Sequence, residues 1–199
     1  MSLSLPTLKC PARLQRLFDR APSGYRAGVT LEQLRRNLGI GDFQVTAPGQ
    51  AQVRLGDWLF EVHEQVQSQL LMHVVTTQFV LRVPASRQGV ARFEVHHSGS
   101  LRRTGLACRH RGGEVERVGF LQQRLSEEGH LKRALMPLDF KRLSIEQGQG
   151  QWTVRLEHLG GSEVVNRLPA FRRYIRLSLG QRDHLLQGLI CLGQTLHGV

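Results

Sequence analysis

Cys108, His110 and His96 come closest, by type and spacing, to a set of metal ligands. Residues two apart on a strand point the same way, so Cys108 and His110 share a face, and a neighbouring strand carrying His96-His97 offers a third donor. His96 and His97 point to opposite faces, so only one of them can join, and no acidic residue lies close enough in sequence to complete the shell. Arg109 beside Cys108 would lower the pKa of a thiol, whereas a small apolar side chain inside a strand is the plainer role for that cysteine. The expectation is therefore no metal and no cofactor, with His96, Cys108 and His110 as weak candidates. The chain has no G-x-S-x-G elbow, no phosphate-binding loop and no dinucleotide-type glycine run. Gly39-Ile-Gly41 and Gly148-Gln-Gly150 read as turns, and the strand-borne acids Glu61, Glu64 and Glu94 show no general acid and base spacing. An enzyme built on residues 96–110 is the third choice of function.

Arginine is the other chemistry-bearing residue. The formal net charge is +11, and 24 of the 27 basic side chains are arginine, a skew that codon bias alone produces. Two groups stand out as anion-binding candidates: Arg102, Arg103, Arg109 and Arg111 in the polar stretch 98–113, followed by Arg117, and Arg172, Arg173 and Arg176 near the end. Guanidinium groups attract phosphate and carboxylate without naming a partner. Only 6% of the residues are aromatic, and both tryptophans fall on apolar strand faces, which argues against base stacking. The expected function is a non-enzymatic binding module holding a hydrophobic or anionic ligand or a protein partner. A nucleic-acid or polyanion binder is the alternative, and scattered glutamates are expected to pair with many of the arginines.

These groups must be positioned by a fold whose size and composition are ordinary. The 199 residues are 40% hydrophobic and 22% charged, enough to bury a core without staples. Three separated cysteines make neither a disulfide framework nor a zinc pair, which suits a reducing compartment. The most apolar stretch, 70–83, is too short and too polar for a membrane helix, and the N-terminus meets Pro6 before an apolar run can develop. The expected location is the cytoplasm, and a homodimer is compatible with the sequence.

Periodicity predicts an α+β fold: a largely antiparallel sheet with helices packed on one face. Residues 1–24 read as a basic amphipathic segment and linker, with Leu14, Leu17 and Phe18 opposite Lys9, Arg13, Arg16 and Arg20. Residues 25–199 form the folded unit. Thr30-Leu-Glu-Gln33 reads as a capping box opening a helix that Gly39 closes. Strands are expected at 43–46, 51–56, 58–64, 70–83, 90–96 and 106–110. Two helices follow between 114 and 135, the second capped by Ser126. Further strands flank Gly148-Gln-Gly150, a turn at Gly160-Gly161 leads into 163–167, and 172–179 forms the last strand. Leu185, Leu189, Leu192 and Leu196 make the stripe of a final helix, with His184 and Asp183 near its cap.

Leu34 to Phe43 overlays Leu131 to Phe140 with five identities in ten positions. That echo suggests two pseudo-repeated halves, 25–113 and 114–199, each one helix followed by about four strands.

Overall fold

The computed structural model describes residues 24–99, 103–114, 119, 122–124 and 129–197. The segment 1–23, Arg102, Arg117 and the expected Ser126 cap lie outside the described residues. Nine antiparallel strands form one sheet: β1 (Phe43–Ala47), β2 (Gln50–Leu55), β3 (Trp58–Ser68), β4 (Met72–Pro84), β5 (Ala91–Ser98), β6 (Gly105–Gly113), β7 (Phe140–Gly148), β8 (Gln151–Arg167) and β9 (Ala170–Ile175). Their order is β1-β2-β3-β4-β8-β7-β5-β6, with β9 also paired to β8. Three helices are bounded, α1 (Val29–Leu38), α2 (Gly129–Leu135) and α3 (Leu179–His197), and residues 119 and 122–124 are helical too.

Alternation along the strands creates the two faces of this sheet. The register aligns Val53, Phe60, Leu81, Val154, Ile145 and Phe93 in one transverse row and Ala51, Val62, Phe79, Leu156, Leu143 and Val95 in the next. All twelve are buried. Successive side chains on a strand point oppositely, so the residues between them form the opposite, polar face. Across that face Arg82 pairs with Glu61, Arg92 and Arg155 with Glu146, and Arg111 with Glu94. The glutamates therefore neutralise much of the arginine charge, as expected.

The helices cover the apolar face. Leu31, Leu34 and Leu38 of α1 and Leu185, Leu189, Leu192 and Leu196 of α3 are all buried in the core that the two rows form. Gly193 lets α3 approach β3 closely: a Cβ there would lie 2.7 Å from the Trp58 ring. The C-cap at Gly39 is as expected, its N–H donating to the Arg35 carbonyl. The N-terminus of α1 differs from the sequence reading. Its N-cap is Gly28, which has no side chain to cap with, and Thr30 lies inside the helix, donating to Glu163. The missing cap comes from Glu64 of β3, whose carboxylate accepts from the backbone N–H of Gly28 and of Leu31, both at 3.0 Å, and from the Tyr25 hydroxyl at 2.6 Å.

Two other expectations are corrected near the C-terminus. Gly160-Gly161 is not a turn, because β8 runs through it as one 17-residue strand. The last strand ends at Ile175 rather than 179, and α3 starts at Leu179 with a reciprocal cap. Ser178 Oγ accepts from the Gln181 N–H, and Gln181 Oε1 accepts from the Ser178 N–H. Ser178 and Gln181, not His184 and Asp183, thus satisfy the helix end.

The echoed blocks occupy similar local structure. Leu34 and Leu38 precede β1 as Leu131 and Leu135 precede β7, and all four leucines are buried. The resemblance stops there. β1 to β4 form a meander, while β7 and β8 are followed by a short β9 and α3, and β5-β6 joins the sheet through β7. A duplication of four-strand units is not confirmed.

Burial also sets a pH dependence. His73, His97 and His158 have pKa values held below the ordinary 6.5, chiefly by desolvation, and positive neighbours Arg167 and Arg172 add to the effect at His73. Below pH about 6.5 the unfolded chain takes up protons that the fold refuses, so stability falls as pH drops from about 7 towards 5. Each such histidine contributes at most about 1.4 kcal/mol per pH unit in that window. His73→Leu should flatten the fall. Thermal midpoints measured from pH 7 to 5 check this, and an equally steep profile in the variant would contradict it.

Candidate functional site

The most distinctive local feature of the sheet is a notch beside β8. β7 pairs with β8 up to Phe140 opposite His158, and β9 takes over the same edge from Ile175 opposite Ser162. Between those ends, Leu159, Gly160 and Gly161 have no strand partner on this edge among the described residues. On the other edge, the ladder with β4 steps from Thr77↔His158 to Val75↔Glu163, so β8 bulges there. A wide bulge re-aims side chains and opens a sheet locally. Gly161 permits it, since its φ of +85° is disfavoured for other residues and a Cβ would lie 2.9 Å from Leu34 Cδ1.

Five chain segments meet around the notch: Arg103 after β5, Asp139 and Phe140 where β7 begins, His158 and Gly160 at the bulge, Arg176 after β9, and Gln181 in the first turn of α3. The recess has a volume of about 420 Å³. Arg103 is held in place, donating to the Met136 and Leu138 carbonyls after α2 and pairing with Asp139. His97 stacks on Phe140, with ring centroids 4.4 Å apart, and its Nε2 lies 3.3 Å from the Leu135 carbonyl.

His158 is the unusual member of this group. It is 1% exposed, and its Nδ1 lies 3.2 Å from the Gly160 carbonyl. A carbonyl only accepts, so Nδ1 carries the proton, and in the neutral ring Nε2 is left as an acceptor. Among the described residues no group bonds to that Nε2. Burial keeps the ring neutral, with the Gly160 bond and Asp139 pulling weakly the other way. The site therefore combines guanidinium charge with one buried acceptor, a pattern suited to an anion that also carries a hydroxyl.

The remaining expected residues do not converge here. Arg109 and Arg111 project from the polar face of β6, where Arg111 pairs with Glu94. Arg172 bonds to the Gly24 carbonyl and lies 3.4 Å from Glu163, and Arg173 stands next to it on β9, pointing the other way. The metal candidates separate as well. Cys108 lies opposite Val95 and His110 opposite Phe93, whereas His96 lies opposite Ala107 and projects from the other face. Among the described residues no group of three His, Cys, Asp or Glu side chains is placed to hold a metal. Arg109 does not activate Cys108, because burial pushes the thiol up to about 12. Its Sγ is a packing atom, and Cys108 N–H donates to Gln122 Oε1.

Fold and notch together define an α+β protein in which helices cover one face of a nine-stranded antiparallel sheet and leave a small arginine-flanked recess beside the longest strand. Residues 36–196 match the family of proteins of unknown function DUF3156, and the chain belongs to that family. No curated protein and no solved structure matches the chain. Among the described residues, no helix is long and apolar enough to cross a membrane.

Proposed function

We propose that the protein is a non-enzymatic binding module whose notch holds a small anionic ligand bearing a hydroxyl group. The observation that carries this reading is His158, which lines a recess that also contains Arg103 and Arg176 and whose buried Nε2 acceptor has no partner among the described residues. Arg176 has no carboxylate at ion-pair distance among the described residues, so its charge is available to a ligand, whereas Arg103 is fixed by Asp139 and serves as the rigid wall. The hydroxyl would donate to Nε2 and the anionic group would accept from Arg176. Charge-assisted hydrogen bonds of this kind contribute about 1.5–3 kcal/mol each.

The test is titration calorimetry of the full chain against a panel of hydroxy acids and sugar phosphates. Arg176→Gln is expected to weaken binding of any ligand found by roughly tenfold or more. His158→Phe, which keeps the packing volume, should weaken hydroxyl-bearing ligands and leave their deoxy analogues unchanged. Unchanged affinity in Arg176→Gln would overturn the proposal.

The nucleic-acid alternative has less support in the geometry. On the polar face of β5, β6 and β7, Arg92 and Arg111 sit against glutamates, while Arg109 and Arg142 have no carboxylate at ion-pair distance among the described residues. A polyanion would have to displace several glutamates to reach the others.

A further inference from the structure

A second surface lies at the end of the sheet where β3 turns into β4 and β8 turns into β9. The two turns are neighbours, because Met72 pairs with Asn166 and the Arg167 N–H donates to the Leu71 carbonyl at 2.8 Å. Together they raise four apolar side chains into solvent: Leu70 is 91% exposed, Leu168 75%, Leu71 54% and Phe171 48%. Scattered exposed leucines need no explanation, but four at adjoining turn tips form a patch that calls for a partner.

The charge around the tips selects the partner. Residues 65–73 and 164–176 contain no aspartate or glutamate, and the second stretch carries Arg167, Arg172, Arg173 and Arg176. Of these, Arg172 is engaged by Glu163, while Arg167 and Arg173 sit exposed beside the apolar tips. Apolar prongs ringed by guanidinium groups match the layering of an anionic bilayer, in which phosphates lie above acyl chains. The chain also reaches Gly24 at this end, where the Gly24 carbonyl accepts from Arg172. Nucleic acid would use the arginines but gain nothing from the leucines.

We infer that the β3–β4 and β8–β9 turns dock the protein reversibly onto an anionic phospholipid surface. Leu70 and Leu168 enter the acyl boundary, and Arg167 and Arg173 contact lipid phosphates. This surface is independent of the notch, and either assignment stands without the other.

Cosedimentation of the full chain with phosphatidylcholine vesicles containing about 30% phosphatidylglycerol tests the assignment. Binding is expected to be at least tenfold stronger than to pure phosphatidylcholine vesicles and to weaken with salt. Leu70→Ser with Leu168→Ser should lose about tenfold in vesicle affinity with an unchanged thermal midpoint, since neither side chain belongs to the core. Arg167→Gln with Arg173→Gln should abolish the preference for the anionic lipid. No binding to the anionic vesicles at low salt overturns the inference. So does wild-type affinity in the double serine variant, or a patch-dependent dimer in sedimentation equilibrium with no vesicle binding.

Discussion

Trp152→Ala is expected to lower the unfolding free energy by about 3–5 kcal/mol, the range for truncating a fully buried large aromatic. Trp152 is 0% exposed on the apolar face of β8, between Val83 on β4 and Gln147 on β7, and its ring stacks on Phe93 with centroids 6.4 Å apart. Removing it empties the row that joins the β1–β4 meander to the β5–β7 block. The surrounding strands are held in register from both sides, so the space cannot collapse readily. Domains of this size carry roughly 5–15 kcal/mol in total, and the variant would therefore approach its folding threshold. Urea unfolding followed by far-ultraviolet circular dichroism checks this. A loss under about 1 kcal/mol would show that the ring is not packed as described.

Glu64→Ala is expected to cost about 2–4 kcal/mol, because one carboxylate satisfies three donors. The N–H groups of Gly28 and Leu31 are among those at the start of α1 with no intrahelical partner, and Gly28 cannot cap them. The negative charge also opposes the positive end of the helix dipole. Loss of the carboxylate would strand these N–H groups and the Tyr25 hydroxyl in a partly buried setting. Burial and Glu64 now hold the Tyr25 pKa well above its ordinary value, so Tyr25 should titrate closer to that value in the variant. Amide exchange resolved by residue provides the decisive measurement: protection should fall in Thr30 to Leu34 and remain in α3. Uniform protection would mean that the helix end is supported by other groups.

How much of this was legible in the sequence depends on the range of the interaction concerned. Phe60 and Val62, Phe93 and Val95, and Trp152, Val154 and Leu156 announced their buried faces by alternation, which is a local signal, and the leucines of α3 announced theirs by helical spacing. Thr30 misled because a capping box is also a local pattern, while the real cap is Glu64, brought to the helix by tertiary pairing. Gly160-Gly161 resembled a turn because glycine marks bulges as readily as reversals, and only the ladder with β4 tells the two apart. The Ser178-Leu-Gly-Gln181 cap is also a local pattern, but Ser178 and Leu179 continue the apolar alternation of 172–179 and so read as the end of a strand. Arg103 and Arg176 were singled out for their charge. Nothing linear tied them to His158, since the notch exists only where the ends of β7 and β9 abut along one strand.

The pairing of β4 with β8 has a consequence for synthesis of the chain. β4 is complete at Pro84, but its outer partner is not finished until Arg167, roughly eighty residues later. At about 5–20 residues per second, the nascent meander would present an open hydrogen-bonding edge rich in valine for several seconds. Newly made amino-terminal fragments are therefore the form of this protein most prone to stick to one another, and a ribosome stalled between those two points would hold the chain in that state.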